Sequence, residues 1–157
     1  RATNSNLWYV IALLSDIFKG IFPVGVAYQL LGWTGLEIIP ITIAAACGHA
    51  FSVFLNFKGG KALATSFGIW IGLILFEAVI FPFFLVFTYL FVEEDNWAVL
   101  FAISLVLVYV LARFGFHPIL ILVWIFNTAI VIYKHRDGLN KPPTLRGWLT
   151  GNRNGDA

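Results

Sequence analysis

A chain of 157 residues that is 60% hydrophobic and 11% charged, with sixteen Phe and six Trp, carries more apolar surface than a soluble globule of this size can bury. A formal net charge of +2 gives no basis for nucleic acid as a partner, and a single cysteine, Cys47, excludes an internal disulfide. What remains is an all-α integral membrane protein, a polytopic helical bundle.

The chain contains no Met and opens on Arg1-Ala2-Thr3-Asn4, so it is expected to lack an N-terminal piece. The first apolar run covers 7–31 and holds Asp16 and Lys19, which share a helical face at i, i+3 and are placed to pair. A second run covers 36–57 and is followed by the polar knot Asn56-Phe57-Lys58-Gly59-Gly60-Lys61. The third run, 62–92, would be about 46 Å long as one helix, against a hydrocarbon layer of ~30 Å. It also contains Glu77 and Pro82. The sequence therefore predicts a turn at Glu77, with a short helix over 62–76 after the FKGGK loop and another over 78–92. Glu93-Glu94-Asp95-Asn96 ends that helix, and two more follow over 97–112 and 116–133. This makes about six spans in a single domain, 1–157, closed by a basic tail over 134–157. Lys134, Arg136, Lys141, Arg146 and Arg153 make the tail cytoplasmic by the positive-inside rule. Counting back places Lys58, Lys61 and 93–95 on the same face as the tail, and Glu77 and Phe116 on the other.

The sharpest local signal is Phe57-Lys58-Gly59-Gly60-Lys61. Two glycines allow the backbone to approach a ligand closely, two lysines bracket them, and a helix begins at once. That combination suits a phosphate, although the same pattern also serves as an interfacial turn with snorkelling lysines. His49 lies nine residues before Lys58, where a lone imidazole needs a partner. His135-Arg136 form a second cationic group on the same face, which alternatively anchors the chain to lipid headgroups. Asp16 and Lys19 form either a structural ion pair or part of the site. No metal-ligand spacing, His-x4-Asp motif or Gly-x-Ser-x-Gly elbow occurs. His117-Pro118 falls on the outer face and reads as structural.

The segment Gly48-His49-Ala50-Phe51-Ser52-Val53-Phe54-Leu55-Asn56-Phe57-Lys58-Gly59-Gly60-Lys61-Ala62-Leu63-Ala64-Thr65 closely resembles the signature G-H-x-F-P-V-F-x-x-F-K-G-G-K-G-V-A-T. That signature belongs to the bacterial acyl-phosphate:glycerol-3-phosphate acyltransferases, the PlsY family. Asp16 to Val24 resembles the family's D-x-x-K-G-x-x-P-V, and His135-Arg136 resembles the start of its H-R-x-N. The resemblance implies a seven-helix fold, here without its first helix, in the bacterial cytoplasmic membrane. It implies acyl transfer from acyl-phosphate to glycerol 3-phosphate at the cytoplasmic face, giving lysophosphatidic acid without metal or cofactor. It further implies that the Gly59-Gly60 backbone and Lys61 bind phosphate and that His135 helps hold glycerol 3-phosphate; Lys58, His49 and Arg136, beside them in the sequence, are candidate ligands of phosphate or substrate by position. Ala2-Thr3-Asn4 match the A-T-N of a further signature, S-G-N-x-G-A-T-N-x-x-R, whose arginine position is then Leu7; the alternative is that Ser5-Asn6 is the end of that motif. No side chain is assigned as the catalytic base, because substrate phosphate can take the proton. The chain departs from these signatures at Ser52, Ala62, Gly138 and the acidic step 93–95. These departures leave a second function open, an accessory structural subunit of a larger membrane complex without turnover.

Overall fold

Helix α1, Asn6–Gly25, opens the bundle, and the computed structural model describes residues 6–150. Pro23 withdraws one backbone donor near the end of α1, and a π-helical turn, Val26–Leu30, follows. Helix α2 is Ile38–Ala50, α3 is Leu63–Ile74, α4 is Ile80–Phe91, α5 is Asp95–Phe114 and α6 is Pro118–His135. A last turn of helix, α7, covers Gly147–Thr150.

Five helical stretches are long and apolar enough to cross a membrane, and one of them, Leu63–Phe91, is folded back on itself. Helix α3 stops where Leu75 takes a left-handed φ of 50°, and a 3-10 turn over Leu75–Val79 leads into α4. Trp70 and Phe81 then meet edge to face at 5.4 Å, although eleven residues apart, a spacing that one straight helix would stretch to about 16 Å. At the open end of this hairpin, Lys61 before α3 bonds Asn96 at the start of α5. The turn predicted at Glu77 is present, centred two residues earlier at Leu75, and counting α3 and α4 separately gives six helical legs. Glu77 itself caps the tip by accepting hydrogen bonds from Tyr109 Oη at 3.1 Å and Arg113 at 2.9 Å. Carbonyls orphaned by the break, those of Gly72 and Leu73, accept from the Gln29 amide at 3.2 and 2.9 Å.

Helices α1 and α3 pack at backbone contact. A methyl group on Gly68 would run into the Ile17 carbonyl, and one on Gly20 into the Thr65 carbonyl. Small residues of this kind let apolar helices approach where lipid offers no hydrophobic drive to associate. The close approach brings Thr65 Oγ1 within 3.0 Å of the Asp16 carbonyl, which sets Asp16 level with the start of α3. The core on which the site rests contains Val24, Ile38, Ile69, Trp70, Val110 and Val123.

Candidate functional site

The loop from Phe51 to Ala62 starts at the end of α2, makes a 3-10 turn over Val53–Leu55 and reverses through Asn56 and Phe57, both left-handed. Its return leg, Gly59-Gly60, lies against the last turn of α2. A Cβ on Gly59 would strike the His49 and Ala50 carbonyls, and one on Gly60 would strike the His49 imidazole. Neither glycine has a positive φ, so what the loop requires here is space. Gly60 is exposed, and its backbone N–H donates no hydrogen bond among the described residues.

Ala62 adopts φ 62° where the resembled signature has glycine. Left-handed backbone costs an alanine about 1–2 kcal/mol. Its buried methyl contributes about 0.8 kcal/mol, and glycine would lose about 0.5–1 kcal/mol more entropy. The terms nearly cancel, so alanine serves at this position.

Three other elements meet the loop. From α1, Asp16 Oδ1 lies 2.9 Å from Lys19 Nζ and 3.2 Å from His49 Nδ1, so the acid that the sequence leaves inside a span is partnered twice. From α5, Asn96 Oδ1 accepts from Lys61 Nζ at 3.2 Å. From α6, Lys134 Nζ donates to the Ala50 carbonyl at 2.8 Å and the Gly59 carbonyl at 3.1 Å, and sits 5.2 Å from the centre of the Phe51 ring. His135 is 2% exposed, with Nδ1 2.8 Å from the Val131 carbonyl. A neutral imidazole then carries its proton on Nδ1 and presents Nε2 as acceptor. His135 is tied to the loop through its neighbour Lys134, which bonds the Gly59 carbonyl.

An open-sided apolar groove of about 370 Å³ lies between α1, α3, α4, α5 and α6; its lining includes Leu63 and Ala64, which follow Lys61 in the chain, and Val131, whose carbonyl lies 2.8 Å from His135 Nδ1. Trp70, Phe81 and Trp124 line it farther along α3, α4 and α6. Its polar lining is Ser66, Asn127 and Thr128; Ser66 donates to Asn127 Oδ1 at 2.6 Å, while Asn127 Nδ2 is buried and unpaired among the described residues.

The segment after α6 does not leave the bundle at once. Glu94 accepts from the Thr144 N–H at 2.6 Å and its hydroxyl at 2.7 Å, and Trp97 donates to the Lys141 carbonyl at 2.6 Å. Arg146 and Trp148 donate to the carbonyls of Val92 and Leu90. The hydrogen bonds from Thr144 hold the Glu94 carboxyl below its usual range. Residues 141–148 thus form a strap across the turn between α4 and α5, where the sequence predicts a basic tail from residue 134.

The structure brings Asp16, Lys19, His49, Gly59, Gly60, Lys61 and His135 to one end of the bundle. Two sequence expectations change. The close approach of Gly59-Gly60 is to the end of α2, because the chain must double back along that helix. Arg136 turns outward, stacked 4.0 Å from the centre of the Tyr133 ring and 3.6 Å from Asp137. Lys58 is exposed at the loop surface, and His117 caps α6. Thr3 and Asn4 lie outside the described residues. Sequence reasoning missed Lys134, Asn96, Ser66 and Asn127 as members of the site. Among the described residues no three His, Cys, Asp or Glu side chains converge on a metal position.

A family model described as glycerol-3-phosphate acyltransferase matches residues 3–142. A glycerol-3-phosphate acyltransferase of Desulfovibrio desulfuricans is 30% identical over 155 residues, covering 96% of this chain and 67% of the relative. A second, of Thermotoga maritima, is 35% identical over 154 residues, covering 85% of this chain and 76% of the relative. Two crystal structures of PlsY, described as an integral membrane glycerol 3-phosphate acyltransferase, have the same fold. The glycerol 3-phosphate form matches with a TM-score of 0.76 at 24% identity, over 92% of this chain and 69% of that one. The lysophosphatidic acid form matches with a TM-score of 0.75 at 24% identity, over 92% and 70%.

Proposed function

This chain belongs to the glycerol-3-phosphate acyltransferase family, and from that premise we propose that it moves a fatty acyl group from acyl-phosphate to glycerol 3-phosphate, forming lysophosphatidic acid. The observation that carries the reading is an apolar groove whose lining includes Leu63 and Ala64, next in the chain after Lys61, and Val131, whose carbonyl lies 2.8 Å from His135 Nδ1. The Lys61 ammonium suits phosphate-bearing substrates, the neutral His135 suits a hydroxyl, and the groove suits an acyl chain.

In this reading a glycerol 3-phosphate hydroxyl attacks the acyl carbonyl carbon. The new ester C–O bond forms, the C–O bond to the donor phosphate breaks, and inorganic phosphate leaves with the hydroxyl proton. Substrate phosphate is the proton acceptor, so no side chain of this chain is assigned as a base. Lys61 and the Gly60 N–H offset negative charge as the tetrahedral centre develops, and holding both substrates together lowers the entropic barrier. His135 Nε2 holds glycerol 3-phosphate by accepting from a hydroxyl. The chemistry is assigned to the cytoplasmic face of a bacterial inner membrane, because Lys58, Lys61, Lys134 and Lys141 all lie at this end.

The test uses purified protein in lipid. Inorganic phosphate should be released from acyl-phosphate only when glycerol 3-phosphate is present, and Lys61→Ala should lower the rate by a factor on the order of 100 or more. Donor hydrolysis without acceptor, or full activity in Lys61→Ala, refutes the proposal.

A further inference from the structure

The turn after α6 reads His135-Arg136-Asp137-Gly138, whereas the signature it resembles carries asparagine at the fourth position. Taken along the sequence alone, a carboxamide is missing. In space it is not. A Cβ built on Gly138 would collide with the Asn96 side chain, whose Cγ would be 2.5 Å away. The space that a side chain at 138 would enter is therefore already filled by a carboxamide from the first turn of α5. The same carboxamide is bonded through Oδ1 to Lys61. Gly138 does not have a positive φ, so its backbone would accept a side chain, and the obstacle is Asn96.

We infer that Asn96 is a positioning residue for the reaction, supplying from α5 the amide that the turn after His135 lacks and fixing Lys61 against the anionic substrate. This rests on the function proposed above. The acidic step 93–95 then has a purpose of its own: Glu94 anchors the strap through Thr144, which holds the turn into α5 and so sets where Asn96 projects.

The test compares the unaltered protein in lipid with Asn96→Ala, Gly138→Asn and the double variant. Asn96→Ala should raise KM for glycerol 3-phosphate about tenfold, the value of one charge-assisted hydrogen bond, with a smaller change in kcat. Gly138→Asn alone should also lose activity, since two amides would compete for one space. The double variant should return KM to within about threefold of the unaltered protein. A bulk structural role for Asn96 would not be rescued in this way. A double variant no better than Asn96→Ala overturns the inference, as does a fully active Gly138→Asn. A second measurement separates this inference from the reaction itself: protection of Lys61 by glycerol 3-phosphate against an amine-acylating reagent, read by mass spectrometry. If the unaltered protein turns nothing over, loss of protection in Asn96→Ala and its return in the double variant still support the assignment, while the proposed reaction falls. Equal protection in all four proteins, or none in the unaltered one, overturns it.

Discussion

Lys134→Met removes an ammonium group while keeping most of the side-chain length. The ammonium donates to the Ala50 and Gly59 carbonyls and lies over the Phe51 ring. A hydrogen bond from a charged donor contributes about 1.5–3 kcal/mol, and a cation over an aromatic ring about 0.5–1 kcal/mol. One ammonium serves all three contacts, so the terms do not simply add, and methionine avoids the cost of desolvating a half-buried charge. The expected loss is about 2–4 kcal/mol. At about 2–4 °C per kcal/mol for a chain of this size, the unfolding midpoint should drop on the order of 10 °C. Because the Gly59 carbonyl is freed, the return leg of the loop should also loosen. Thermal unfolding in a fixed lipid-detergent mixture measures the first effect, and the concentration of glycerol 3-phosphate that protects Lys61 from acylation measures the second. A midpoint within 1 °C of the unaltered protein would mean that Lys134 is only a surface anchor, and the role given to it here would be wrong.

The two loop glycines should respond differently to alanine. At Gly59 the added methyl meets backbone and cannot be accommodated by a rotamer change, so the variant should lose about 1–3 kcal/mol of stability. At Gly60 it meets the His49 ring, which can swing away from Asp16, so stability should change less; equal thermal shifts would refute this ordering. The strap should respond to acid. Glu94 is held below the usual carboxylate range by the Thr144 N–H and hydroxyl. A depressed folded-state pKa contributes stability above the unfolded value and loses it as pH falls through the folded one. Protection from hydrogen exchange over residues 141–148, taken relative to the intrinsic rate at each pH, should therefore fall on acidification, and Glu94→Gln should remove most of that dependence. Protection that does not change with pH would show that the clasp does not hold the strap.

The hairpin was legible in the sequence because two independent quantities required it. The run 62–92 was too long for one span, and only a turn placed Lys58 and Lys61 on the face of the basic tail. The loop, His49, His135 and the Asp16–Lys19 pair were legible from spacing within single segments. What escaped were partnerships between segments distant in sequence. Lys134 looks like one more interfacial cation until α6 is laid beside the end of α2. Asn96 looks like the end of an acidic linker until the hairpin carries Lys61 to it. Gly59-Gly60 suggests open backbone for a ligand, and only the packed structure reveals how closely α2 is approached. Arg136 had the right position in the chain, but Tyr133 and Asp137 offer its guanidinium nearer partners than the loop does.

The folded-back pair of helices fixes a thickness. Asn96 and Arg113, which meet Lys61 at the open end and Glu77 at the tip, are separated along α5 by about 26 Å of helix. An average bilayer core is about 30 Å deep. The lipid around this face must therefore thin by a few ångströms, or Arg113 must reach outward along its own methylenes, each at a fraction of a kcal/mol per ångström. The spacing of these two anchors, not the 20-residue length of α5, is thus the dimension through which bilayer thickness would act on the stability of the hairpin.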